Sequence, residues 1–328
     1  MNVKLGKEEK TERTMTTTIL LLILVIAGLL TVPFITVGYV VFLLNAIFLY
    51  VILALSWNLI SGFCGYLSFG HHAFFGIGAY AGALAIVRLG LSPYLSAILA
   101  GVIAMLAAIA VGFPILRLRG AYFVIATLCL AGAAQTLMAN WKGLTGGSEG
   151  LSLPPAYNLP QYYYSVLVTM LVAIFVMYKI KNSSIGLALH AIHEDEDAAE
   201  ACGVDTTKWK VFAFAVSAFF PGVVGSLYAW YMTYIDPPSV FNINILLNQM
   251  TMALFGGVGT VTGPIVGAII FSLISEFLWA NYPTVYQLIV GLIIVLVVVF
   301  MPEGLVGIFK RIRTPGEKVV RKKKIFKF

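Results

Sequence analysis

Long apolar runs alternate with short polar segments along almost the whole chain. Each run is close to the length that a helix needs to cross the roughly 30 Å of hydrocarbon in a bilayer. The pattern predicts ten transmembrane spans, over residues 17–32, 36–55, 71–87, 94–115, 121–139, 161–179, 211–232, 244–261, 264–281 and 284–301. Eight spans with two re-entrant segments would keep the same parity and remain the alternative. In both cases we expect an all-α polytopic membrane protein.

Composition supports this fold class. Apolar residues make up 60% of the chain, charged residues make up 11%, and the mean hydropathy is +0.95. A soluble domain has about a quarter charged residues, so a soluble protein is excluded. The charge is also concentrated, because residues 310–327 carry nine basic residues and one acidic residue. Such a tail is typical of a cytoplasmic segment near anionic lipid, and we expect no nucleic-acid partner.

The distribution of basic residues predicts the orientation in the membrane. With both termini in the cytoplasm, Arg117, Arg119 and the lysines of residues 179–210 also lie inside, and only Arg88 and Lys142 lie outside. The two arginines are expected to meet lipid phosphate, with contact to a partner as the alternative. The chain is then divided into an amino-terminal cytoplasmic segment, a transmembrane domain and a basic cytoplasmic tail, at residues 1–16, 17–307 and 308–328.

One long polar segment, residues 183–210, separates two apolar runs and holds six of the fourteen acidic residues. Its pattern predicts two short helices. The first has one apolar stripe, made of Ile185, Ala188, Leu189 and Ile192. For the second, Asp197 and Glu200 have the spacing of a capping box, and Gly203 lies where a helix can end in a left-handed turn.

A plain solvated loop is one interpretation of this segment. However, Asp197-Ala198-Ala199, followed after three residues by Gly203, resembles the EAA-x3-G coupling motif of ABC-importer permeases, with Asp in place of Glu. The family's downstream I-x-L-P element is absent where it would be expected. The resemblance implies that the segment contacts a cytoplasmic ATPase, with Ala199 as the expected contact residue. The residues expected to take part in coupling are Asp197, Ala198, Ala199, Glu200, Cys202 and Gly203.

Two glycine-rich stretches interrupt the apolar pattern, one within residues 56–80 and one within residues 250–272. Glycine permits unwinding and close backbone approach, and an interrupted helix at membrane depth must line a cavity or be covered by protein. Close packing of continuous helices is the alternative. The occurrence in opposite halves of the chain hints at an internal repeat around a central path. The residues expected at the path or at a helix break are Gly62, Gly65, Gly70, Gly256, Gly257 and Gly259.

No constellation of catalytic or metal-binding residues is apparent in the sequence. His71 and His72 have no acidic residue or cysteine at ligand spacing, so we expect them to start or pack a helix. The three cysteines show neither metal nor disulfide spacing. No G-x-x-x-x-G-K-[ST] phosphate loop is present, so the chain itself is not expected to bind ATP in that way. We therefore expect no enzyme activity, no bound metal and no cofactor.

The stretch from Asn58 to Tyr80 is similar to the N-L-x-x-G-x-x-G-x-L-S-x-G-H-x-A-F-F-G-I-G-A-Y block of branched-chain amino acid ABC-transporter permeases of the LivM type. Further similar blocks follow in the family's order, at residues 116–123, 140–151, 256–264 and 301–305. The resemblance covers about residues 56–307 and implies the ABC-importer permease fold. It also implies a subunit of a binding-protein-dependent importer in the inner membrane of a prokaryote.

The same resemblance implies partners and a substrate. Such a permease stands beside a second, related permease or a second copy of itself. Two cytoplasmic ABC ATPase subunits bind the ATP, and an extracytoplasmic solute-binding protein delivers the substrate. The external segment 140–161 is a candidate docking surface for that protein. The family name implies leucine, isoleucine and valine, whereas similar permeases that move urea or short-chain amides leave a second substrate class open.

An ion-coupled secondary transporter is the rival class. Such transporters generally need acidic residues within the membrane. Outside the tails and the polar segment, Glu149, Asp236 and Glu303 fall in loops or at a span end, and Glu276 is the remaining candidate. Its position near the end of a predicted span is an ordinary interfacial one, so this class is disfavoured.

Overall fold

The computed structural model describes Leu24 and residues 27–36, 38–155, 159–300 and 304–307. The predicted amino-terminal segment 1–16, part of the predicted span 17–32 and the predicted tail 308–328 lie outside the described residues. Within the described part, residues 27–35 are helical.

The described chain is almost entirely helical. In order, the helices are α1 (Gly38–Asn58), α2 (His72–Leu89), α3 (Pro93–Ile115), α4 (Ala121–Asn140), α5 (Lys142–Thr145), α6 (Leu159–Lys181), α7 (Ser184–Glu194), α8 (Glu196–Ala201), α9 (Thr206–Met232), α10 (Pro237–Val240), α11 (Ile243–Gly256), α12 (Thr262–Asn281) and α13 (Tyr286–Phe300). A π-helical turn, Leu59–Phe63, continues α1, and a 3-10 turn covers Gly147–Glu149. Two short strands, β1 (Leu151–Ser152) and β2 (Tyr234–Ile235), pair antiparallel.

Seven helical segments among the described residues are long and apolar enough to cross a membrane: α1 with its π-helical turn, α2, α3, α4, α6, α9 and α12. The predicted count of ten is therefore not confirmed. The predicted span 244–261 is wrong as a full span, because α11 has 14 residues and ends at Gly256. At 1.5 Å per residue it is about 21 Å long, which is short of the bilayer core. The predicted span 284–301 contains α13, which has 15 residues.

Helix α9 forms the centre of one group of helices and packs along α2 and α3. Small residues allow this close approach. A Cβ at Gly78 would lie 2.2 Å from the carbonyl oxygen of Gly222, and a Cβ at Gly82 would lie 1.9 Å from the hydroxyl of Ser226. At Gly78, which belongs to the first glycine-rich stretch, the structure thus supports the packing interpretation.

Helix α1 forms the centre of a second group and packs against α6, α11 and α12. Helices α1 and α11 run in the same direction, since Tyr50 meets Asn248 near their middles and Asn58 meets Gly259 at their ends. Helix α12 runs in the opposite direction, and its Glu276 accepts a hydrogen bond from the hydroxyl of Tyr39 at the start of α1.

Helix α11 begins partway along its neighbours rather than at their ends. The segment that follows α9 carries Phe241, whose ring lies against Gly76 in the second turn of α2. Asn242 then caps α11 by accepting a hydrogen bond from the N–H of Asn244 at 2.9 Å. The helix therefore starts beside the middle of the bundle and ends at the glycines that follow it.

The predicted external loop is folded against the segment that follows α9. Leu151 pairs with Ile235 across the two strands, and the hydroxyl of Tyr234 donates to the carbonyl of Glu149 at 2.9 Å. Gly146 and Gly147 both have positive φ, which is typical of glycines in a tight turn. The role of this loop in docking stays a prediction.

Candidate functional site

The polar segment forms two short helices, as expected, and the cap of the second differs from the prediction. The side chain of Asp195 accepts hydrogen bonds from the N–H groups of Asp197 and Ala198, both at 3.1 Å. Asp195 is therefore the N-cap of α8, and the predicted capping box of Asp197 and Glu200 is wrong. The physical reason is that the helix begins at Glu196, which places Asp197 inside its first turn.

The six predicted coupling residues differ in how they are exposed. Ala199 is buried against the rest of the chain, so the expectation that Ala199 meets a partner is corrected. Exposed positions of this segment are Asp197, Ala198, Glu200, Ala201, Cys202 and Gly203. Gly203 has φ +85° with no atom within 4 Å of a Cβ built on it, which confirms the predicted left-handed turn. Glycine is needed there for its backbone conformation and not for space.

A buried ionic network ties α8 to three other elements. The Nζ of Lys210, in the second turn of α9, donates to the Oε1 of Glu196 at 2.6 Å and to the carbonyl of Leu116 at 3.0 Å. It also donates to the hydroxyl of Tyr66 at 3.1 Å, and that hydroxyl in turn donates to the Oε2 of Glu196. Burial and the hydrogen bond to Glu196 raise the pKa of Tyr66, so it remains a donor at neutral pH.

Arg119, which lies between α3 and α4, adds an exposed edge to this network. Its guanidinium forms two hydrogen bonds with Asp197, at 2.9 and 3.2 Å, and its Nε lies 3.6 Å from Glu196. The hydrogen bonds from Arg119 hold the pKa of the Asp197 carboxyl below its usual range. Arg119 is therefore an intramolecular partner of α8, and the default expectation of lipid anchoring is corrected for it. Arg117 lies over the ring of Phe113 at 5.0 Å.

The same polar segment contacts the interruption after α1. The Nδ1 of His193, near the end of α7, lies 3.0 Å from the carbonyl oxygen of Gly62, inside the π-helical turn. Gly65 follows with φ +82°, and a Cβ there would lie 3.1 Å from the His193 ring. Single π-helical turns are rare and frequently mark functional sites. The predicted coupling segment and the predicted helix break are thus in direct contact.

Asn58, at the end of α1, joins the two glycine-rich stretches. Its Oδ1 accepts a hydrogen bond from the N–H of Gly259 at 2.9 Å, and its Nδ2 donates to the carbonyl of Thr260 at 2.8 Å. A Cβ at Gly62 would lie 2.0 Å from the Asn58 Oδ1 and 2.8 Å from the Gly259 nitrogen. Gly62 is therefore required so that Asn58 can reach the second stretch.

The remaining glycines serve different purposes. A Cβ at Gly70 would lie 1.9 Å from the carbonyl oxygen of Thr127 in α4, away from the Asn58 contact. A Cβ at Gly256 would lie 1.7 Å from the carbonyl oxygen of Gly263, where α11 crosses α12. Gly257 has φ +121° and ends α11. The structure thus brings Gly62 and Gly259 together, whereas Gly70 and Gly256 allow close backbone approach elsewhere.

The network residues Tyr66, Glu196 and Lys210 were missed by the reasoning from sequence. A usable indication existed, because Lys210 stands directly before an apolar run and is thus expected to need a partner if the helix is buried. Nothing in the pattern identifies Glu196 among six neighbouring acidic residues.

For the histidines, the Nε2 of His71 lies 3.0 Å from the carbonyl oxygen of Ser217 in α9. Among the described residues, no group of three or more His, Cys, Asp or Glu could hold a metal ion.

The chain is similar to transport proteins of bacteria and archaea. Residues 39–299 match the family described as "Branched-chain amino acid transport system / permease component". The high-affinity branched-chain amino acid transport system permease protein LivM of Salmonella typhimurium is 29% identical over 288 residues, which cover 78% of this chain and 67% of that protein. The corresponding protein LivH of the same species is 26% identical over 283 residues, covering 79% and 91%.

An archaeal relative shows a similar likeness. The probable branched-chain amino acid transport permease protein LivH of Methanocaldococcus jannaschii is 26% identical over 257 residues, which cover 75% of this chain and 76% of that protein. No solved structure matches the chain.

Proposed function

Because this chain belongs to the family of permease components of branched-chain amino acid transport systems, we propose that it is the membrane permease subunit of an ATP-driven importer. In this proposal it carries leucine, isoleucine and valine across the inner membrane of a prokaryote. A separate ATPase subunit binds and hydrolyses the ATP, and this chain binds no cofactor. The relatives whose names include branched-chain amino acid transport support the substrate class.

The observation that carries the proposal is the direct link between the polar segment and the interrupted helix. His193 in α7 contacts Gly62, and Glu196 in α8 binds Tyr66 directly after the break. A segment that is only a solvated loop needs no such attachment to a helix break. A segment that transmits movement does need it, because coupling is carried by contiguous packed and hydrogen-bonded elements.

The ionic network extends the same link to two further elements. Lys210 lies in the second turn of α9, and Leu116 directly follows the last residue of α3, so a displacement of Glu196 acts on both. Arg119 stands two residues before the start of α4 and donates two hydrogen bonds to Asp197 in α8. We propose that closure of the ATPase dimer pushes α7 and α8 as one piece, and that these contacts pass the displacement to α1, α3, α4 and α9.

Membership of the permease family supports the proposed partners. Two cytoplasmic ABC ATPase subunits serve one importer, and each contacts the coupling segment of one permease. For this chain we propose that Ala198, Ala201 and Cys202 form the small exposed surface that enters the ATPase, in place of the buried Ala199. A second, related permease or a second copy completes the channel, a solute-binding protein docks outside, and both termini are cytoplasmic. Membrane lipid surrounds the assembly.

Two rival functions are tested by the same system. Urea or short-chain amides are the alternative substrates. For an ion-coupled transporter, Glu276 is the one acidic residue in the seven candidate spans of the described chain. It lies near the end of α12 and binds the hydroxyl of Tyr39 at 2.9 Å, which supports a structural role at the edge of the bundle.

The experiment is uptake of radiolabelled leucine, isoleucine, valine and urea into vesicles that hold the purified complete importer. We expect uptake of the three amino acids to require ATP on the ATPase side and to need no ion gradient. Glu276→Gln should retain most of that uptake. Uptake of urea in preference to the amino acids would replace the substrate assignment. Loss of uptake in Glu276→Gln, together with uptake that needs an ion gradient and no ATP, would establish the secondary transporter instead.

A further inference from the structure

A cavity of about 450 Å³ lies between α2, α4 and the segment that leads into α11. This volume is within the range of about 300–1,000 Å³ that is usual for small-molecule sites. One wall is a single face of α4, because Leu128, Ala131, Gly132 and Gln135 follow each other at spacings of three, one and three residues. Small residues at the centre of this face leave the space open.

Two helices begin at the opposite side of the cavity. His72 is the first residue of α2, while Asn242 caps α11 and Ile243 is its first residue. All three line the cavity. The amino end of a helix carries a partial positive charge and favours a carboxylate, and here two such ends face one space.

The polar side chain at this wall has unused hydrogen-bonding capacity. His72 is 4% exposed, and its Nδ1 is buried without a hydrogen-bond partner among the described residues. A buried polar atom without a partner is costly, and a ligand in the cavity removes the cost once the imidazole turns its enclosed Nδ1 toward the ligand. His72 is therefore a second, independent indication of a ligand at this place, besides the two helix ends.

The lining also restricts the charge and shape of the ligand. No Asp, Glu, Lys or Arg is among the described residues that line the cavity. A ligand with a net charge would find no opposite charge to balance it, whereas a zwitterion would not need one. Leu128, Phe241 and Ile243 offer an apolar surface, and Gln135 offers an amide oxygen to an ammonium group.

We infer that this cavity binds a zwitterionic amino acid with an aliphatic side chain during its passage through the permease. Its carboxylate faces the amino ends of α2 and α11, and its side chain lies against α4. The inference rests on the proposed function and adds the residues at which this chain contacts the substrate. Gln135 and His72 orient the substrate, and Gly132 sets the length of side chain that the site accepts.

Gly132 offers a clean way to change the cavity. No atom lies within 4 Å of a Cβ built on it, so a side chain there extends into open space without a clash. It lies inside α4, where alanine is preferred to glycine, so the helix itself is not weakened. Gly291 in α13 matches it, because that position is also helical and also has no atom within 4 Å.

The experiment compares Gly132→Ala, Gly132→Leu and the control Gly291→Leu in vesicles with the complete importer, with leucine and valine as substrates. We expect Gly132→Leu to lower the maximal rate of leucine uptake by about tenfold or more, since a change of one methylene in a pocket is worth about tenfold or more. Gly132→Ala should lower leucine uptake more than uptake of the shorter valine. The control should match the wild type. Assembly of each variant with its partners is measured by co-purification.

The outcomes separate the two proposals. If both Gly132 variants assemble and keep the wild-type rates and the wild-type ratio of leucine to valine, the cavity is not the substrate site, while the proposed function stands. An equal loss for both substrates in Gly132→Ala would also overturn the inference, because it indicates a general effect on the helix. If Gly132→Leu does not assemble, the leucine-to-valine ratio of Gly132→Ala decides. If the wild type takes up neither amino acid, the proposed function itself is wrong.

Discussion

The buried ion pair between Lys210 and Glu196 allows the sharpest test of the structure. We consider Glu196→Gln and Lys210→Met, which remove one charge each and keep similar volumes. The Lys210 side chain is 5% exposed and that of Glu196 is 13% exposed, so both groups have lost most of their hydration. Removal of either charge therefore leaves the other one in a poorly hydrated place.

The expected magnitudes follow from what each remaining group keeps. At 2.6 Å and an effective dielectric constant of about 20, the Coulomb attraction of the pair is about 6 kcal/mol, and desolvation offsets much of it. In Glu196→Gln, the ammonium retains only neutral oxygens, those of Tyr66, Leu116 and the new amide, so we expect a loss of about 4 kcal/mol in the free energy of unfolding. In Lys210→Met, the carboxylate retains the Tyr66 hydroxyl and Arg119, so we expect a smaller loss of about 2 kcal/mol.

The assay is thermal unfolding of the purified complex, with ATP hydrolysis and leucine uptake measured on the same preparations. Lys208→Met is the matched control, because Lys208 is exposed and lies two residues before Lys210 on α9. Among the described residues, the ammonium of Lys208 contacts the ring of Trp209 and no acidic group. We expect both network variants to hydrolyse ATP while uptake falls, because α8 is no longer held to the spans.

A double variant completes the test. If the pair acts as one unit, Glu196→Gln with Lys210→Met should cost less than the sum of the single changes, by about 1–3 kcal/mol. Strict additivity, or a Lys210→Met protein as stable as Lys208→Met, would refute the reasoning. So would a larger loss for Lys210→Met than for Glu196→Gln, since the order depends on the partners that each group keeps.

Two other predictions concern the helix break and the polar segment. Asn58→Leu should lower the free energy of unfolding by about 2 kcal/mol and reduce uptake, because the N–H of Gly259 and the carbonyl of Thr260 lose their partner. The control Asn281→Leu, at an exposed position, should change neither stability nor uptake. With Cys129 replaced, a short bifunctional thiol reagent should link the exposed Cys202 to a cysteine placed in the ATPase groove. Cys64 should not react, because burial raises the pKa of its thiol to about 12. Absence of a link at every groove position in an assembled complex would contradict the proposed contact.

The helical class and most span positions were predictable from the sequence, because an apolar run of sufficient length has few other solutions. The predicted spans 94–115 and 121–139 agree closely with α3 and α4. The error at 244–261 has a physical cause. Hydropathy measures the cost of transfer to lipid. It does not register that Gly256 and Gly257 end a helix, or that α11 starts just after Phe241, which lies beside the second turn of α2.

The candidate site was predictable only in its location. The order of small residues and Gly203 indicated the polar segment, and the glycines indicated the helix break. Their contact was not predictable, because Glu196 and Lys210 are one acid and one base among several whose pairing depends on how α8 and α9 pack. The inward position of Ala199 has the same origin, since it depends on how α8 packs against the rest of the chain.

The position of Asn58 connects these features into one mechanical arrangement. It stands at the point where α1 gives way to the π-helical turn, and its amide holds the loop between α11 and α12. The same turn is held from the other side by His193. A displacement of α7 therefore acts on an element whose glycines leave it deformable and whose hydrogen bonds lead to α11. Because α11 begins at the cavity and ends at this loop, it joins the proposed substrate site to the π-helical turn that His193 contacts.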